Sequence, residues 1–271
     1  MGKLKTFLGA ASLATAMAGT SCVHDGRING FLPIEETFFV QCHDNELDFD
    51  TRCVDFTQGY LADAKEGVYL FNQDITADVF GERRNVSLDG ICSSILLNNG
   101  YLLTAQHCVD IESDLPFGVT LLGQEFSISR NGQKYALEKI ALGGERDVAL
   151  FKVTDYEGLP YVPFALGNTD SIKEGNFVYL FGFTGLNEVN VRDGIVGVAE
   201  DTSMLEETGD GHFLITNGAD HGDSGGMVIG IRDGVPEVLG VLLYGYHSHA
   251  GGCLKMKEIP ESIMGVLRDN Q

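Results

Sequence analysis

Ile95-Leu96-Leu97-Asn98-Asn99-Gly100-Tyr101-Leu102-Leu103 sets two apolar triplets on either side of an Asn-Asn-Gly turn. Runs this short, ended by turn residues, are strands rather than helices, and Asn-Gly between them is a hairpin signal. The texture repeats in both directions. Val68-Tyr69-Leu70-Phe71 lies upstream. Val148-Ala149-Leu150-Phe151, Phe177-Val178-Tyr179-Leu180-Phe181, Phe213-Leu214-Ile215, Met227-Val228-Ile229 and Val238-Leu239-Gly240-Val241-Leu242-Leu243 lie downstream. With 35 Gly against six Pro, the chain reads as many short strands joined by turns. Strands without amphipathic helices between them mean an all-β sandwich or barrel. A loop-like stretch over about 157–175 divides the strand-rich part into nearly equal halves. One helix is expected at the end, over about 259–268, opened by Pro260, with Ile259, Ile263, Val266 and Leu267 on one face.

The composition fits such a core. Of 271 residues, 44% are hydrophobic and 21% charged, which excludes wholesale disorder. The net charge of −21 repels phosphate backbones, so nucleic acid is not an expected partner. Lys3 and Lys5, an uncharged Thr6–Ala18 stretch and Ala16-Met17-Ala18 together read as a secretory signal peptide over 1–18. Thirteen mostly small residues cannot cross ~30 Å of hydrocarbon, so no membrane span is expected there. The mature chain is expected to be secreted or periplasmic. Cys22 offers a lipoprotein alternative, although Gly19-Thr20-Ser21 lacks the aliphatic residue that lipidation signals carry.

Export places Cys22, Cys42, Cys53, Cys92, Cys108 and Cys253 in an oxidising compartment, where an even count suggests three disulfides. No Cys/His spacing suits a structural metal, and neither metal nor cofactor is expected. Residues 19–66, with ten acidic and three basic residues and weak periodicity, read as a propeptide or a disulfide-tied N-terminal extension.

Three segments carry chemistry. In Gly222-Asp223-Ser224-Gly225-Gly226, glycines let the backbone turn sharply, expose the hydroxyl and leave N–H groups able to face a developing oxyanion. Thr104-Ala105-Gln106-His107-Cys108 puts a histidine at the end of a strand, beside a cysteine. Arg146-Asp147-Val148-Ala149-Leu150-Phe151 puts a carboxylate at the mouth of an apolar strand, where it can orient an imidazole.

His, Asp and Ser in this order, in these segments, resemble the trypsin/chymotrypsin-like serine proteases of the double β-barrel clan. The resemblance spans about 67–268. Leu166-Gly167-Asn168-Thr169-Asp170-Ser171 also resembles the inter-barrel region of bacterial glutamyl endopeptidases and high-temperature-requirement proteases. It implies two Greek-key six-stranded barrels, over about 67–160 and 161–256, within a peptidase domain over 67–271. It implies that Ser224 is the nucleophile, His107 the general base and Asp147 its orienting partner. The N–H groups of Gly222 and Ser224 would form the oxyanion hole. Cys92 and Cys108 would form the family's histidine-loop disulfide, and protein or peptide substrates would be the partners. The function implied is a secreted serine endopeptidase working through an acyl-enzyme. The alternative is a catalytically silent homologue acting as a binding module.

Departures bear on specificity. Gly218 stands where trypsin-like members carry a pocket Asp, and Asp220 is too near Ser224 to reach the pocket floor. Substrate contacts are expected from Gly218, Ala219, His221, Leu243, Tyr244 and Gly245, with His247 and His249 beyond them. An uncharged, small to medium residue is expected before the scissile bond. Cys253 lacks the family's partner, leaving Cys42 or Cys53 as its candidates. Asp223 needs a cation when buried. Either a new amine at Ile28, released within Arg27-Ile28-Asn29-Gly30 as in a zymogen, or Arg192 would supply it. The resemblance favours Arg192, which stands where bacterial members carry an internal Arg on a second-barrel strand and would form a bidentate pair.

Overall fold

The computed structural model describes residues 22–24, 40–42, 60–111, 115–185, 188–201, 211–232, 235–246 and 249–269. The expected signal peptide, the Arg27-Ile28 site, Cys53 and His247 lie outside them. Strands β1 (Cys22–His24) and β2 (Val40–Cys42) pair antiparallel, with Cys22 in register opposite Cys42.

Helix α1 (Tyr60–Glu66), which the sequence pattern did not indicate, lays Leu61 and Ala64 into the core three positions apart. It leads into β3 (Val68–Val79), β4 (Glu82–Leu96), β5 (Tyr101–Ala105), β6 (Val119–Arg130), β7 (Gln133–Leu142) and β8 (Val148–Val153). These close into a barrel in the order β3-β4-β5-β8-β7-β6. The expected turn at Asn98-Asn99-Gly100 joins β4 to β5, with Gly100 at φ 76° and Leu97 N–H donating to the Tyr101 carbonyl at 2.8 Å. Asn131-Gly132, at φ 51° and 79°, makes the corresponding turn between β6 and β7. Inside, the rings of Phe71, Phe126 and Phe151 meet with centroids 5.9, 5.3 and 5.2 Å apart. Truncating a buried Phe of this kind costs about 3–5 kcal/mol.

A short β9 (Ala165–Leu166) in the linker pairs parallel with Glu237 and Val238. The second barrel uses β10 (Phe177–Gly182), β11 (Asn190–Asp201), β12 (His212–Ile215), β13 (Met227–Arg232), β14 (Val235–Tyr246) and β15 (Ala250–Lys255). It closes because β13 pairs with both β10 and β14. The architecture is thus two closed six-stranded antiparallel barrels. Their strands occupy 68–153 and 177–255.

The run Phe177–Phe181 is apolar throughout because both faces of β10 are covered. Val178 and Leu180 join the core of barrel 2 with Phe213, Ile215 and Leu242, while Tyr179 and Phe181 pack in one cluster with barrel 1 residues. Val228 and its neighbours Met227 and Ile229 divide in the same way. The interface between the barrels is therefore core, and it fixes the two halves of the site against each other.

Helix α2 (Glu261–Asp269) follows Pro260 and buries Ile263 and Leu267. Val266 is only partly buried, and Ile259, though buried, precedes the helix in extended backbone. Cys253 corrects the disulfide expectation: it is a free thiol, fully buried in barrel 2. Its register on β15, opposite Phe213 and Leu242, places it in the core cluster of barrel 2.

Candidate active site

Strand β5 ends at Ala105 in extended backbone and turns into a 3-10 segment, Gln106–Cys108. The Cys92–Cys108 disulfide closes sixteen positions and ties this turn to β4. The Asp147 side chain then fixes the histidine twice. Its Oδ1 accepts the His107 backbone N–H at 2.7 Å, and its Oδ2 lies 2.7 Å from His107 Nδ1. The Asp147 carbonyl accepts Gln106 N–H at 3.0 Å, and Gln106 Oε1 accepts Gly144 N–H at 2.8 Å. To make these contacts Asp147 adopts left-handed backbone, φ 50° and ψ 39°, which Asp tolerates better than most residues. A carboxylate bonded to Nδ1 leaves Nε2 as the free edge of the ring, the edge a general base uses. The imidazole is 45% and the carboxylate 30% exposed, so the pair is open to solvent.

Ser224 comes from the other barrel. Its Oγ is directed at the Leu243 carbonyl, 3.4 Å away, rather than at His107. Leu243 is skipped in the β14–β15 ladder, where Leu242 pairs with Cys253 and Tyr244 with Gly252. A bulge of this kind re-aims a backbone group toward a site. Gly222 sits at φ 96°, and a Cβ there would lie 2.1 Å from the Phe183 carbonyl, so only glycine fits. Among the described residues, neither Gly222 N–H nor Ser224 N–H has an acceptor, while the neighbouring Asp223, Gly225 and Gly226 N–H groups are all bonded. Two unspent donors, one of them the serine's own, thus lie in this turn.

Asp223 is fully buried. Thr184 Oγ1 donates to its Oδ1 at 2.9 Å and Asp220 N–H to its Oδ2 at 3.0 Å. Arg192 Nη2 lies 2.7 Å from Oδ2, off the hydrogen-bonding direction, so the contact is a charge pair. The other nitrogen, Nη1, bonds the Gly218 carbonyl. The expected bidentate fork is therefore not formed: the guanidinium is divided between the carboxylate and the backbone of the neighbouring loop.

Near Gly218 the walls are close. A Cβ on Gly245 would lie 2.7 Å from the Ala219 carbonyl and 3.4 Å from its Cβ; one on Gly251 would also lie 3.4 Å from that Cβ. Tyr244 lies across Gly252, whose Cβ would fall 1.9 Å from the ring. Asp220, His221 and His249 are exposed, and Asp220 Oδ1 turns outward to accept His221 N–H. His107 also approaches the sulfurs of Cys92 and Cys108, but sulfurs joined in a disulfide are not thiolates and make no metal site. Sequence reasoning missed Ser93, Thr184 and the Gln106 side chain as parts of this site. Ser93 follows a half-cystine in an apolar run and carried no signal.

No curated protein matches the chain at a significant level. Solved structures similar to it include an HtrA-type protease, AlgW, in a serine-to-alanine form with a decapeptide, at TM-score 0.61 and 17% identity over 80% of this chain and 68% of that one. AlgW itself with a decapeptide gives 0.59 and 17% over 80% and 69%. Rv3671c from M. tuberculosis H37Rv, in an inactive serine-to-alanine form, gives 0.50 and 15% over 78% and 89%. Identities this low establish the fold alone. The trypsin-like peptidase domain family matches residues 92–241, more than half of the chain and the span that holds His107, Asp147 and Ser224, and the chain belongs to that family.

Proposed function

We propose that the protein is an exported serine endopeptidase that cleaves peptide bonds through His107, Asp147 and Ser224. What supports this reading is the doubly bonded His107–Asp147 pair just past β5 of one barrel and, from the other, a glycine-framed serine with two unspent N–H donors, whose neighbour Gly225 packs so close to β5 that a Cβ there would lie 3.0 Å from Ala105 N. An extended substrate adds along Leu243–Gly245, and its N–H takes the Leu243 carbonyl. That displaces the Ser224 hydroxyl from a long hydrogen bond worth about 1 kcal/mol and frees it for His107.

The Oγ–C bond forms as His107 Nε2 takes the hydroxyl proton. The carbonyl electron pair moves to an oxyanion that Gly222 and Ser224 N–H receive; one such donor typically contributes ~3–4 kcal/mol. Collapse breaks the C–N bond, and His107 returns the proton to the leaving amine. Water, deprotonated by the same imidazole, hydrolyses the acyl-enzyme and regenerates Ser224. Asp147 keeps the ring in the right tautomer and stabilises the imidazolium.

The close approach of Gly245 and Gly251 to Ala219 supports a preference for a small, uncharged residue before the scissile bond. Arg192 beside Asp223 supports a site that is competent without a newly released N-terminus. The Cys92–Cys108 disulfide suits an oxidising compartment, and in this reading residues 1–18 direct export.

Ser224 resting on Leu243 rather than His107 is the one feature that favours a catalytically silent binding module. Labelling with a fluorophosphonate decides between the two. Wild-type protein is expected to label and Ser224→Ala not to; an unlabelled wild type would sink the enzyme. A peptide-library profile dominated by Arg, Lys or Glu before the cleaved bond would refute the specificity.

A further inference from the structure

We propose that Ser93, on β4 of barrel 1, is a positioning residue that holds the oxyanion-binding turn of barrel 2 with its donors facing outward. The inference rests on the peptidase reading above and extends it to a residue that touches no substrate.

Ser93 is fully buried and every polar atom it has is engaged. Its N–H donates to the Ser224 carbonyl at 2.7 Å. Its carbonyl accepts Thr104 Oγ1 at 2.8 Å, from the strand that ends at Ala105, two positions before His107. Its Oγ accepts Phe183 N–H at 2.9 Å and donates to the Gly222 carbonyl at 2.7 Å.

The direction of that last bond follows from counting. A hydroxyl has one proton and two lone pairs. Phe183 N–H occupies a lone pair, and a carbonyl can only accept, so the proton goes to Gly222. The two residues with unspent N–H groups, Gly222 and Ser224, are therefore the two whose carbonyls Ser93 holds.

Gly222 needs such an anchor. At φ 96° it occupies a region that glycine enters and leaves freely, and no side chain limits its rotation. With the carbonyl unheld, the Gly222–Asp223 peptide can swing, and rotation about the Gly222 Cα turns the Gly222 N–H away from the place where the oxyanion needs a donor. The hydroxyl of Ser93 opposes this from across the barrel interface. Gly225 packs on the same node, since a Cβ there would lie 2.1 Å from the Ser93 carbonyl, so the anchor cannot drift away from the turn.

A merely structural serine would lower stability when removed and leave kinetics alone; a positioning serine changes the chemical step. The probe is a fluorophosphonate, in whose reaction the Ser224 Oγ–P bond forms, the P–F bond breaks, His107 takes the hydroxyl proton and fluoride leaves. Its saturating rate and its binding constant are measured separately for wild type, Ser93→Ala and Ser93→Thr, with thermal melts to establish that each is folded. Ser93→Ala is expected to lose about 10–100-fold in the saturating rate, with binding within about threefold. Ser93→Thr, which keeps the hydroxyl, is expected to recover most of that rate. Exchange of the Phe183 amide hydrogen is expected to speed up in Ser93→Ala, a readout that needs no activity. Wild-type labelling with an equal rate in Ser93→Ala, or a loss confined to binding, would overturn the Ser93 role alone. Absence of labelling in wild type would overturn the peptidase reading beneath it.

Discussion

Replacing Arg192 by alanine removes the one cation on a carboxylate that has no access to water. Asp223 is 0% exposed, and the Arg192 nitrogen 2.7 Å away is its only charged partner among the described residues. Thr184 Oγ1 and Asp220 N–H remain, so the orphaned charge keeps two hydrogen bonds and loses its counter-ion. Breaking a buried pair from one side costs about 3–5 kcal/mol, and the surviving bonds place this case near the lower end, about 3 kcal/mol. For a domain of this size that corresponds to roughly 6–12 °C in Tm. Adding Asp223→Asn removes the charge itself, and the double variant is expected to regain most of the loss. Urea and thermal unfolding of the two single variants and the double variant measure the coupling directly. Because Asp223 sits between Gly222 and Ser224, fluorophosphonate labelling is expected to fall in Arg192→Ala and to be unchanged in Arg27→Ala. An Arg192→Ala protein within about 1 kcal/mol of wild type, or one that labels fully while Arg27→Ala does not, would refute the argument and restore a released Ile28 as the partner.

Gly225→Ala meets two obstacles at once, φ 81° and a Cβ 2.1 Å from the Ser93 carbonyl; it is expected to yield little folded protein, checked by soluble yield and melting. Tyr69 donates to the Pro160 carbonyl at 2.8 Å, and burial pushes its phenol up to about 12. The unfolded phenol ionises near 10, so this stabilisation is whole below pH 10 and lost as pH rises toward 12. Tyr69→Phe should flatten that alkaline decline in urea midpoint, and an unchanged slope would exclude Tyr69 as its source. Burial likewise raises the Cys253 thiol well above its ordinary range, so iodoacetamide is expected to modify Cys253 only after unfolding, as read by peptide mapping.

The strands that could be read in advance are those buried on both faces, such as β8 and β10, because double burial demands an unbroken apolar run. Strands β6 and β7 escaped for the converse reason. Their burial is scattered, with Ile128 alone fully buried, so no run stood out although Asn131-Gly132 marked the turn between them. Helix α1 has seven residues and two buried positions, too few to establish a period. The candidate catalytic residues were legible because each lies in a contiguous motif whose local backbone needs, glycines around Ser224 and a strand end before His107, are written beside it.

The parts that support those residues divide by charge. Arg192 lies 31 positions from Asp223, yet it could be nominated, because a buried carboxylate requires a cation and the family resemblance implies an internal Arg on this second-barrel strand. Ser93 lies 129 positions from Gly222 and 90 from Phe183, and nothing required it. A neutral hydroxyl satisfies two backbone groups that water, a glycine turn or another strand could equally have satisfied, so its sequence neighbourhood carries no trace of the demand. Its partners were chosen by barrel packing, which sets Ser93 against the turn at Gly222–Gly226 where Tyr179, Phe181, Met227 and Ile229 join the two halves. Electrostatic supports of a site can thus be reasoned out in one dimension, while neutral hydrogen-bond supports become visible only once the interface between the barrels is known.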